Sequence, residues 1–246
     1  MTSQEPTPSP KYNSVELIPW DSNSDAHFQR LYEQRVACTW DMDLIGEWKE
    51  KALQGNKSLY WIKLGDHLAG KDEVLAKHLA RYPKEKEAIV DTAAVVANSP
   101  RTPTSASFIP VGHVALDMYP DRNEKFSLPQ STVWIKSLYV SWAIQAGGFG
   151  RSAMYQVERL ASLAPLNATV IALDTLTKEF QTIPENIALF AKIRGSELGE
   201  MRSNEEWYTR QGYQDIGRSE DTYKYTNPHT GDIVGVPLVY LKKDLV

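Results

Sequence analysis

Cysteine is almost missing from this chain of 246 residues, which contains only Cys38. A single cysteine excludes an internal disulfide and any metal site built from several cysteines, so we expect no bound metal and a small, buried Cys38. Long apolar runs are missing too. None approaches the roughly 20 residues that span a bilayer, and the N-terminus lacks the pattern of a secretory signal. We therefore expect a cytoplasmic protein without a membrane partner.

The chain also lacks a large excess of one charge, since it has 27 basic and 31 acidic residues and a net charge of −4. Proteins that bind nucleic acid usually carry a basic excess, so we expect no nucleic-acid partner. The composition, 42% hydrophobic and 24% charged, is typical of a globular protein, and the length suits one large domain. We expect that domain at 13–246, after a Ser/Thr/Pro-rich tail at 1–12 that we predict to be disordered.

The pattern of apolar residues predicts the element order β-α-α-β, an insertion at about 65–107, and then β-β-α-β-α-β-β. The first helix is predicted at 26–37, with Ser24 or Asp25 as its cap. Inside the insertion, an apolar patch at 88–97 suits a strand or a helix. Strands that follow each other without an intervening helix favour a mixed α/β or α+β fold over a doubly wound parallel sheet.

The segment Gln145–Arg151, with the sequence QAGGFGR, is the most informative part of the chain. It follows a predicted strand at 132–140 and precedes a predicted helix at 152–163. Free N–H groups at the start of a helix, together with the helix dipole, attract anions. Glycines adopt positive φ at little cost and let a ligand approach the backbone. The segment therefore predicts a site for a ligand that carries phosphate.

The spacing of the glycines excludes two common phosphate-binding loops. A P-loop requires Lys followed by Ser or Thr after its last glycine, whereas Arg151 follows Gly150. The fingerprint of dinucleotide-binding proteins requires a third glycine, which is absent after Gly148 and Gly150. A nucleotide triphosphatase and a nicotinamide-dependent enzyme are therefore not favoured.

The spacing Gln145-x-x-Gly148-x-Gly150 resembles the Q/R-x-x-G-x-G/A loop of the GNAT superfamily of N-acetyltransferases, which binds the pyrophosphate of acetyl-CoA. The strand end 138–140, Leu-Tyr-Val, is similar to that of the family, and 207–213 resembles its second signature, Y-x-x-x-G-F/Y. The resemblance covers most of the chain. It implies a mixed, mostly antiparallel sheet of about seven strands, flanked by helices, with a splayed central pair of strands.

The resemblance also implies that acetyl-CoA is the co-substrate. The loop would hold the pyrophosphate with its N–H groups, Arg151 would add a cation, and the exposed strand end would pair with the pantetheine amides like an added strand. An N–H group of Leu138 or Tyr139 would stabilise the oxyanion. The implied binding residues are Leu138, Tyr139, Val140, Gln145, Ala146, Gly147, Gly148, Phe149, Gly150, Arg151 and Ser152.

For catalysis, the resemblance implies that Tyr208 is the general acid that protonates the CoA thiolate. The position at which family members often carry a glutamate base holds Ser137, which is a poor base at its ordinary pKa. The base would then come from His113, whose ordinary pKa is about 6.5, or from Asp117 or Asp174. Alternatively, the acceptor amine has a low pKa and needs no strong base.

Specificity in the family lies in the first two helices, the loop between them and the last two strands. In this chain those segments hold the predicted substrate-binding residues Arg35, Trp40, Asp41 and Tyr223. The Trp-Asp-x-Asp sequence at 40–43 suits an aromatic or cationic amine, although we expect one of the two aspartates to cap the second helix instead.

The predicted function is an N-acetyltransferase that transfers an acetyl group from acetyl-CoA to a primary amine of a small molecule or a peptide. The transfer would occur by direct attack in a ternary complex, in a monomer or homodimer. The alternative is a catalytically weak CoA-binding or protein-interaction module on the same fold, which the serine at position 137 and the insertion at 65–107 both favour.

Overall fold

In the computed structural model, which describes residues 12–195, 202–226 and 231–245, a seven-stranded sheet forms the centre of the protein. Its strands are Val15–Pro19 (β1), Lys57–Leu64 (β2), Pro110–Met118 (β3), Val133–Val140 (β4), Val170–Leu176 (β5), Gln214–Thr226 (β6) and Ile233–Asp244 (β7). They lie in the order β1-β2-β3-β4-β5-β7-β6. Neighbouring strands are antiparallel except for β4 and β5, which run parallel. The predicted mixed, mostly antiparallel sheet is confirmed.

Helices cover both faces of the sheet. They are Asp25–Cys38 (α1), Ile45–Leu53 (α2), Lys71–Arg81 (α3), Pro120–Lys125 (α4), Phe149–Ser162 (α5), Lys178–Gln181 (α6), Pro184–Arg194 (α7) and Asn204–Thr209 (α8). The hydroxyl of Ser24 caps α1, as predicted, by accepting a hydrogen bond from the N–H of His27. The helices α1 and α2 pack on one face and α5 and α8 on the other. Because both faces are covered, β2 is apolar at successive positions rather than alternating ones.

The central strands β4 and β5 separate after a short common stretch. They pair only over Val133–Ile135 and Ile171–Leu173. On its other edge β4 contains a bulge, since two residues, Ser137 and Leu138, lie opposite Val114 of β3. Ser137 has a positive φ of 56°. A bulge bends and twists its strand, which accounts for the divergence of β4 from β5. The predicted splay is confirmed.

Next to the bulge, β3 and β4 lie unusually close together. A Cβ atom placed on Gly112 would be 2.1 Å from the carbonyl oxygen of Tyr139. Any residue other than glycine would therefore push β3 and β4 apart at the position where β4 leaves β5. The geometry of the splay thus depends on a glycine that no motif of the sequence marks.

The insertion at 65–107 consists of α3, a 3₁₀ turn at Pro83–Lys86, and two short antiparallel ribbons. Ile89–Val90 pairs with Ser107–Phe108, and Val95–Val96 pairs with Ser99–Pro100. The apolar patch at 88–97 thus forms short strands and not a helix. Its first strand and its partner bury Ile89 and Phe108 against α1 and α2, so the insertion contributes to the core of the domain.

A buried ion pair fixes the loop inside the insertion. The carboxylate of Asp91 is 1% exposed and accepts hydrogen bonds from Arg101 at 2.6 and 2.9 Å and from both the N–H and the hydroxyl of Thr104. Hydrogen bonds from Arg101 hold the pKa of Asp91 well below its usual range, despite the opposing effect of burial.

We expect Asp91→Asn to lower the free energy of unfolding by about 2–3 kcal/mol, because it leaves Arg101 without its buried partner. The folded pKa of Asp91 is depressed, so its contribution is complete above the unfolded value of about 3.9 and is lost as the pH falls below it. Urea denaturation at neutral and acidic pH measures both effects. Asp66→Asn, at an exposed carboxylate that also pairs with lysines, is the control and should change stability far less. If the two variants lost equal amounts of unfolding free energy, the buried Asp91–Arg101 pair would not be a special source of stability.

Residues 1–11 of the predicted tail lie outside the described residues. Tyr12, the last residue of that predicted tail, packs on α5. Its carbonyl oxygen accepts a hydrogen bond from the hydroxyl of Ser152 at 2.6 Å, and its ring stacks on Tyr155 at 4.6 Å. None of the described helices is both long and apolar enough to cross a membrane.

Candidate active site

The separation of β4 and β5 opens a cavity of about 220 Å³ in the centre of the protein. Its walls come from both separated strands, from the end of α1 and the loop that follows it, and from α7 and α8. This is the point in the fold where elements distant in sequence converge, so the residues that line it are the candidates for chemistry.

The loop between β4 and α5 has the properties expected of an anion site. Gln145 to Gly148 are exposed, and no hydrogen bond within the described residues is donated by the N–H groups from Gly148 to Arg151. The first helical bond of α5 runs from Ser152 N–H to Gly148 carbonyl oxygen. Gly148 is the N-cap of α5 and has a φ of 81°, which glycine adopts without strain. A row of free donors at a helix start suits a phosphate group.

Two of the predicted loop residues are less available than the others. Ser152 is buried, and its N–H and hydroxyl are both used, by Gly148 and by the carbonyl of Tyr12. Phe149 is buried in the core, so only its backbone faces the loop. Arg151 is exposed, and its guanidinium lies 5.6 Å from the ring centre of Tyr12.

The end of β4 links the loop to the cavity. Beyond Ile135 this strand has no partner on its β5 side, which leaves backbone groups free to pair with an extended ligand. Leu138 and Tyr139 line the cavity, and Val140 leads into the loop. The predicted pantetheine-binding stretch thus runs from the anion site to the cavity.

Tyr208 lies in α8 and lines the cavity with a side chain that is 8% exposed. The helix is fixed at its start by reciprocal hydrogen bonds between Ser203 and Glu206, and the ring of Tyr208 packs against Tyr213. Burial, and to a smaller extent the charge of Asp174, raises the pKa of Tyr208 above its ordinary value. The hydroxyl is therefore protonated at neutral pH and can serve as a proton donor.

Asp174 also lines the cavity but is fully paired. Lys136 donates to its two oxygens at 2.8 and 2.9 Å, and Arg122 donates at 3.0 Å. Burial alone would raise the pKa of Asp174, but the two cations outweigh it and lower the pKa. The group is thus a fixed negative charge and a weak base.

The other two base candidates lie away from the cavity walls. His113 is completely buried, with Nδ1 2.8 Å from the side-chain oxygen of Gln34 and Nε2 3.3 Å from a nitrogen of Arg35. Burial first, and then the charges of Arg35 and Lys57, hold the pKa of His113 well below its usual value. Asp117 is buried in an ion pair with Lys57 at 2.6 Å. Neither group has a free position from which to take a proton.

The four predicted substrate-binding residues meet on one wall of the cavity. Arg35 forms an ion pair with Asp41 at 3.2 Å and donates to the carbonyl oxygen of Trp40 at 2.7 Å. The hydroxyl of Tyr223, from β6, donates to the second oxygen of Asp41, and the rings of Trp40 and Tyr223 lie 5.5 Å apart. The four residues therefore form one cluster in space, although Tyr223 is far from the other three in the chain.

The prediction that Asp41 or Asp43 caps the second helix is wrong. The N-cap of α2 is Leu44, and no side chain hydrogen-bonds there. Asp41 is instead held by Arg35 and Tyr223, since a buried cation and a phenol bind a carboxylate more strongly than one helix end. Cys38, which lines the same wall, is buried as expected.

Sequence reasoning missed the contribution of α7. Phe190 packs against Leu176 and Leu238 beside the cavity, and Arg194 stacks on Trp142, with its guanidinium 5.3 Å from the ring centre. Nothing in the apolar pattern of this segment indicates which side of the helix faces the cavity. Among the described residues, no group of three or more histidine, cysteine, aspartate or glutamate side chains could hold a metal ion.

No protein-family model and no curated protein sequence matches this chain. Solved structures do resemble it. The crystal structure of Arabidopsis thaliana NAA60 in complex with acetyl-CoA aligns over 94% of this chain and 98% of that chain, with a TM-score of 0.51 and 10% identity. The structure of an aminoglycoside 6'-N-acetyltransferase complexed with coenzyme A aligns over 94% of this chain and 97% of that chain, with a TM-score of 0.49 and 14% identity.

A third solved structure is the spermidine N-acetyltransferase from Vibrio cholerae in complex with CoA and spermine, which covers 94% of this chain and 96% of that one at a TM-score of 0.48 and 8% identity. The strand order, the parallel β4–β5 pair with its splay, and the likeness to NAA60 define the class: the chain has the fold of the GNAT superfamily. The fold implied by the loop and the second signature is thus confirmed.

Proposed function

We propose that this protein is an N-acetyltransferase that transfers the acetyl group of acetyl-CoA to a primary amine of a small molecule or a peptide. One observation carries the proposal. A row of free N–H groups at the start of α5 continues along the unpaired edge of β4 into a cavity that contains the protonated hydroxyl of Tyr208. The NAA60 structure, which shares the fold, is a complex with acetyl-CoA.

In this proposal the donor is bound by backbone groups. The N–H groups from Gln145 to Arg151 hold the pyrophosphate, and each charge-assisted hydrogen bond is worth roughly 1.5–3 kcal/mol. The free edge of β4 from Leu138 to Val140 pairs with the pantetheine amides. Arg151 adds a positive charge at the mouth of the loop.

Acetyl-CoA supplies an activated acetyl group as a thioester, and the protein supplies a proton and a polar backbone. Tyr208 gives its proton to the leaving sulphur, and the N–H of Leu138 or Tyr139 at the bulge stabilises negative charge on the carbonyl oxygen. Because His113 and Asp117 lie outside the cavity and Asp174 is a weak base, we assign no base. The amine reacts from its unprotonated fraction, so the rate rises with pH until the amine is fully deprotonated.

The test combines calorimetry with a thiol-release assay on the purified chain. We expect acetyl-CoA to bind and CoA thiol to appear when amines, amino acids and short peptides are added together with it. Absence of binding at millimolar acetyl-CoA would contradict the proposal. Binding without thiol release from any acceptor would favour the alternative, a CoA-binding module without turnover, for which the paired carboxylates in the cavity are the supporting observation.

A further inference from the structure

Arg194, the last residue of α7, is a partly buried cation in the cavity wall. Its guanidinium lies 5.3 Å from the ring centre of Trp142, and no carboxylate of the described residues forms an ion pair with it. Burial lowers the pKa of Arg194 from its ordinary value, and no acid of the described residues offsets this effect. A guanidinium held partly out of water without an anion is a ready site for a carboxylate.

The other charges of the cavity are already balanced inside the protein. Arg35 pairs with Asp41, whose second oxygen accepts from Tyr223. Lys136 pairs with Asp174, which Arg122 also contacts. The wall therefore contributes three cations and two carboxylates. The cation that has no carboxylate partner among the described residues is Arg194.

The side of the wall next to α7 is apolar and aromatic. Its six side chains are Trp40, Leu176, Phe190, Ile193, Tyr223 and Leu238. All six belong to one packed cluster, so this apolar surface adjoins the helix that ends in Arg194. Elsewhere the wall also contains uncharged polar side chains, those of Ser137, Thr175, Gln181 and Asn204. A ligand that fits has an apolar or aromatic group and one negative charge.

We infer that the acceptor is a small amine that carries a carboxylate, of the class of apolar or aromatic amino acids, with its carboxylate bound by Arg194. The inference rests on the proposed acetyl transfer. In that step the amine nitrogen forms the new C–N bond and the C–S bond of the thioester breaks. Tyr208 gives its proton to the sulphur, and the proton that the nitrogen loses passes through water to the Tyr208 oxygen, which restores the phenol and gives an N-acetyl amino acid and CoA. Polyamines are disfavoured, because Asp41 and Asp174 already hold cations.

The test compares L-phenylalanine, L-phenylalaninamide and spermidine as acceptors for acetyl-CoA. We expect kcat/KM to be about tenfold or more higher for the acid than for the amide or the polyamine. The amide has the larger fraction of free amine at neutral pH, so this preference cannot arise from amine availability. Arg194→Gln should lower kcat/KM for L-phenylalanine about tenfold or more and leave the amide almost unchanged.

The matched control is Lys192→Gln, which removes the same charge from an exposed position of the same helix and should change none of these values. Equal or better use of the amide would overturn the inference. So would an Arg194→Gln variant that raises KM for acetyl-CoA equally with every acceptor, because the guanidinium would then serve a phosphate of the donor.

A binding measurement separates this inference from the proposed function. If no acceptor releases thiol, acetyl transfer fails, and calorimetry with L-phenylalanine in the presence of CoA still tests the carboxylate site. Binding that is lost in Arg194→Gln and kept in Lys192→Gln supports the site without any turnover. Absence of binding to the unaltered protein at millimolar L-phenylalanine overturns it.

Discussion

Gly148→Val is expected to reduce acetyl-CoA binding by a factor of about 100 or more while the protein remains folded. The N-cap glycine of α5 has a φ of 81°, and a branched side chain there strains the backbone by roughly 1–2 kcal/mol. The valine would also stand among the free N–H groups. Loss of two charge-assisted hydrogen bonds, at roughly 1.5–3 kcal/mol each, corresponds to a factor of at least about 100 in affinity. Isothermal calorimetry with acetyl-CoA measures the effect.

Gly70→Val is the matched control for this change. Gly70 is the N-cap of α3, with a φ of 71°, and a Cβ there meets only a carboxylate oxygen of Glu73 at 3.7 Å. The control thus introduces the same kind of backbone strain at a helix start outside the proposed donor site. If Gly148→Val were folded and bound acetyl-CoA as tightly as Gly70→Val, the loop would not be the pyrophosphate site.

Tyr208→Phe is expected to lower kcat by about two to four orders of magnitude with little change in KM for acetyl-CoA. Tyr208 lines the cavity, and in the proposed function its phenol supplies the proton for the leaving sulphur, whereas the loop and β4 hold the donor. Steady-state kinetics of thiol release, with acetyl-CoA varied at a fixed acceptor concentration, separates the two parameters.

Tyr213→Phe is the control, since it removes a neighbouring buried hydroxyl that donates to Glu158 and does not line the cavity. It should cost about 1 kcal/mol of stability and leave kcat unchanged. If both variants lost kcat equally, the loss in Tyr208→Phe would come from disturbed packing and not from a missing proton donor.

The raised pKa of Tyr208 also predicts how the rate of thiol release depends on pH. Because burial favours the neutral phenol, Tyr208 stays protonated up to and beyond pH 10, the ordinary pKa of a tyrosine being about 10. In the proposed reaction, the rate with the unaltered protein should therefore rise as the acceptor amine deprotonates and should not fall again below about pH 10. A falling limb at lower pH would contradict Tyr208 as the acid.

Much of the fold and of the proposed donor site could be predicted from the sequence because their signals are local. The glycine loop lies between a strand and a helix that are adjacent in the chain, and an apolar run marks most of the strands. The second signature identified α8 and placed Tyr208 on it. The bulge at Ser137 and the close approach at Gly112 were not predictable, since both depend on how β3 and β4 pair.

The base candidates show the limit of residue type as a guide to function. His113 is suited to catalysis by its ordinary pKa, yet burial and two hydrogen bonds make it a structural residue. Asp174 does line the cavity, but Lys136 and Arg122 lower its pKa. Intrinsic pKa is read from a sequence, whereas desolvation and neighbouring charges are properties of the folded chain.

The sequence by itself predicted the order of most strands and helices and a candidate phosphate site at the start of α5, because helix starts, glycine spacing and apolar periodicity act between neighbouring residues. Its resemblance to the GNAT family predicted the type of sheet. Only the tertiary structure decided how charge is distributed in the cavity. It brings Arg35, Asp41 and Tyr223 into one cluster across almost the whole chain, and it brings Arg194 onto Trp142. Pairing and burial of charges at such distances depend on the packing of the sheet and helices, which no local pattern encodes.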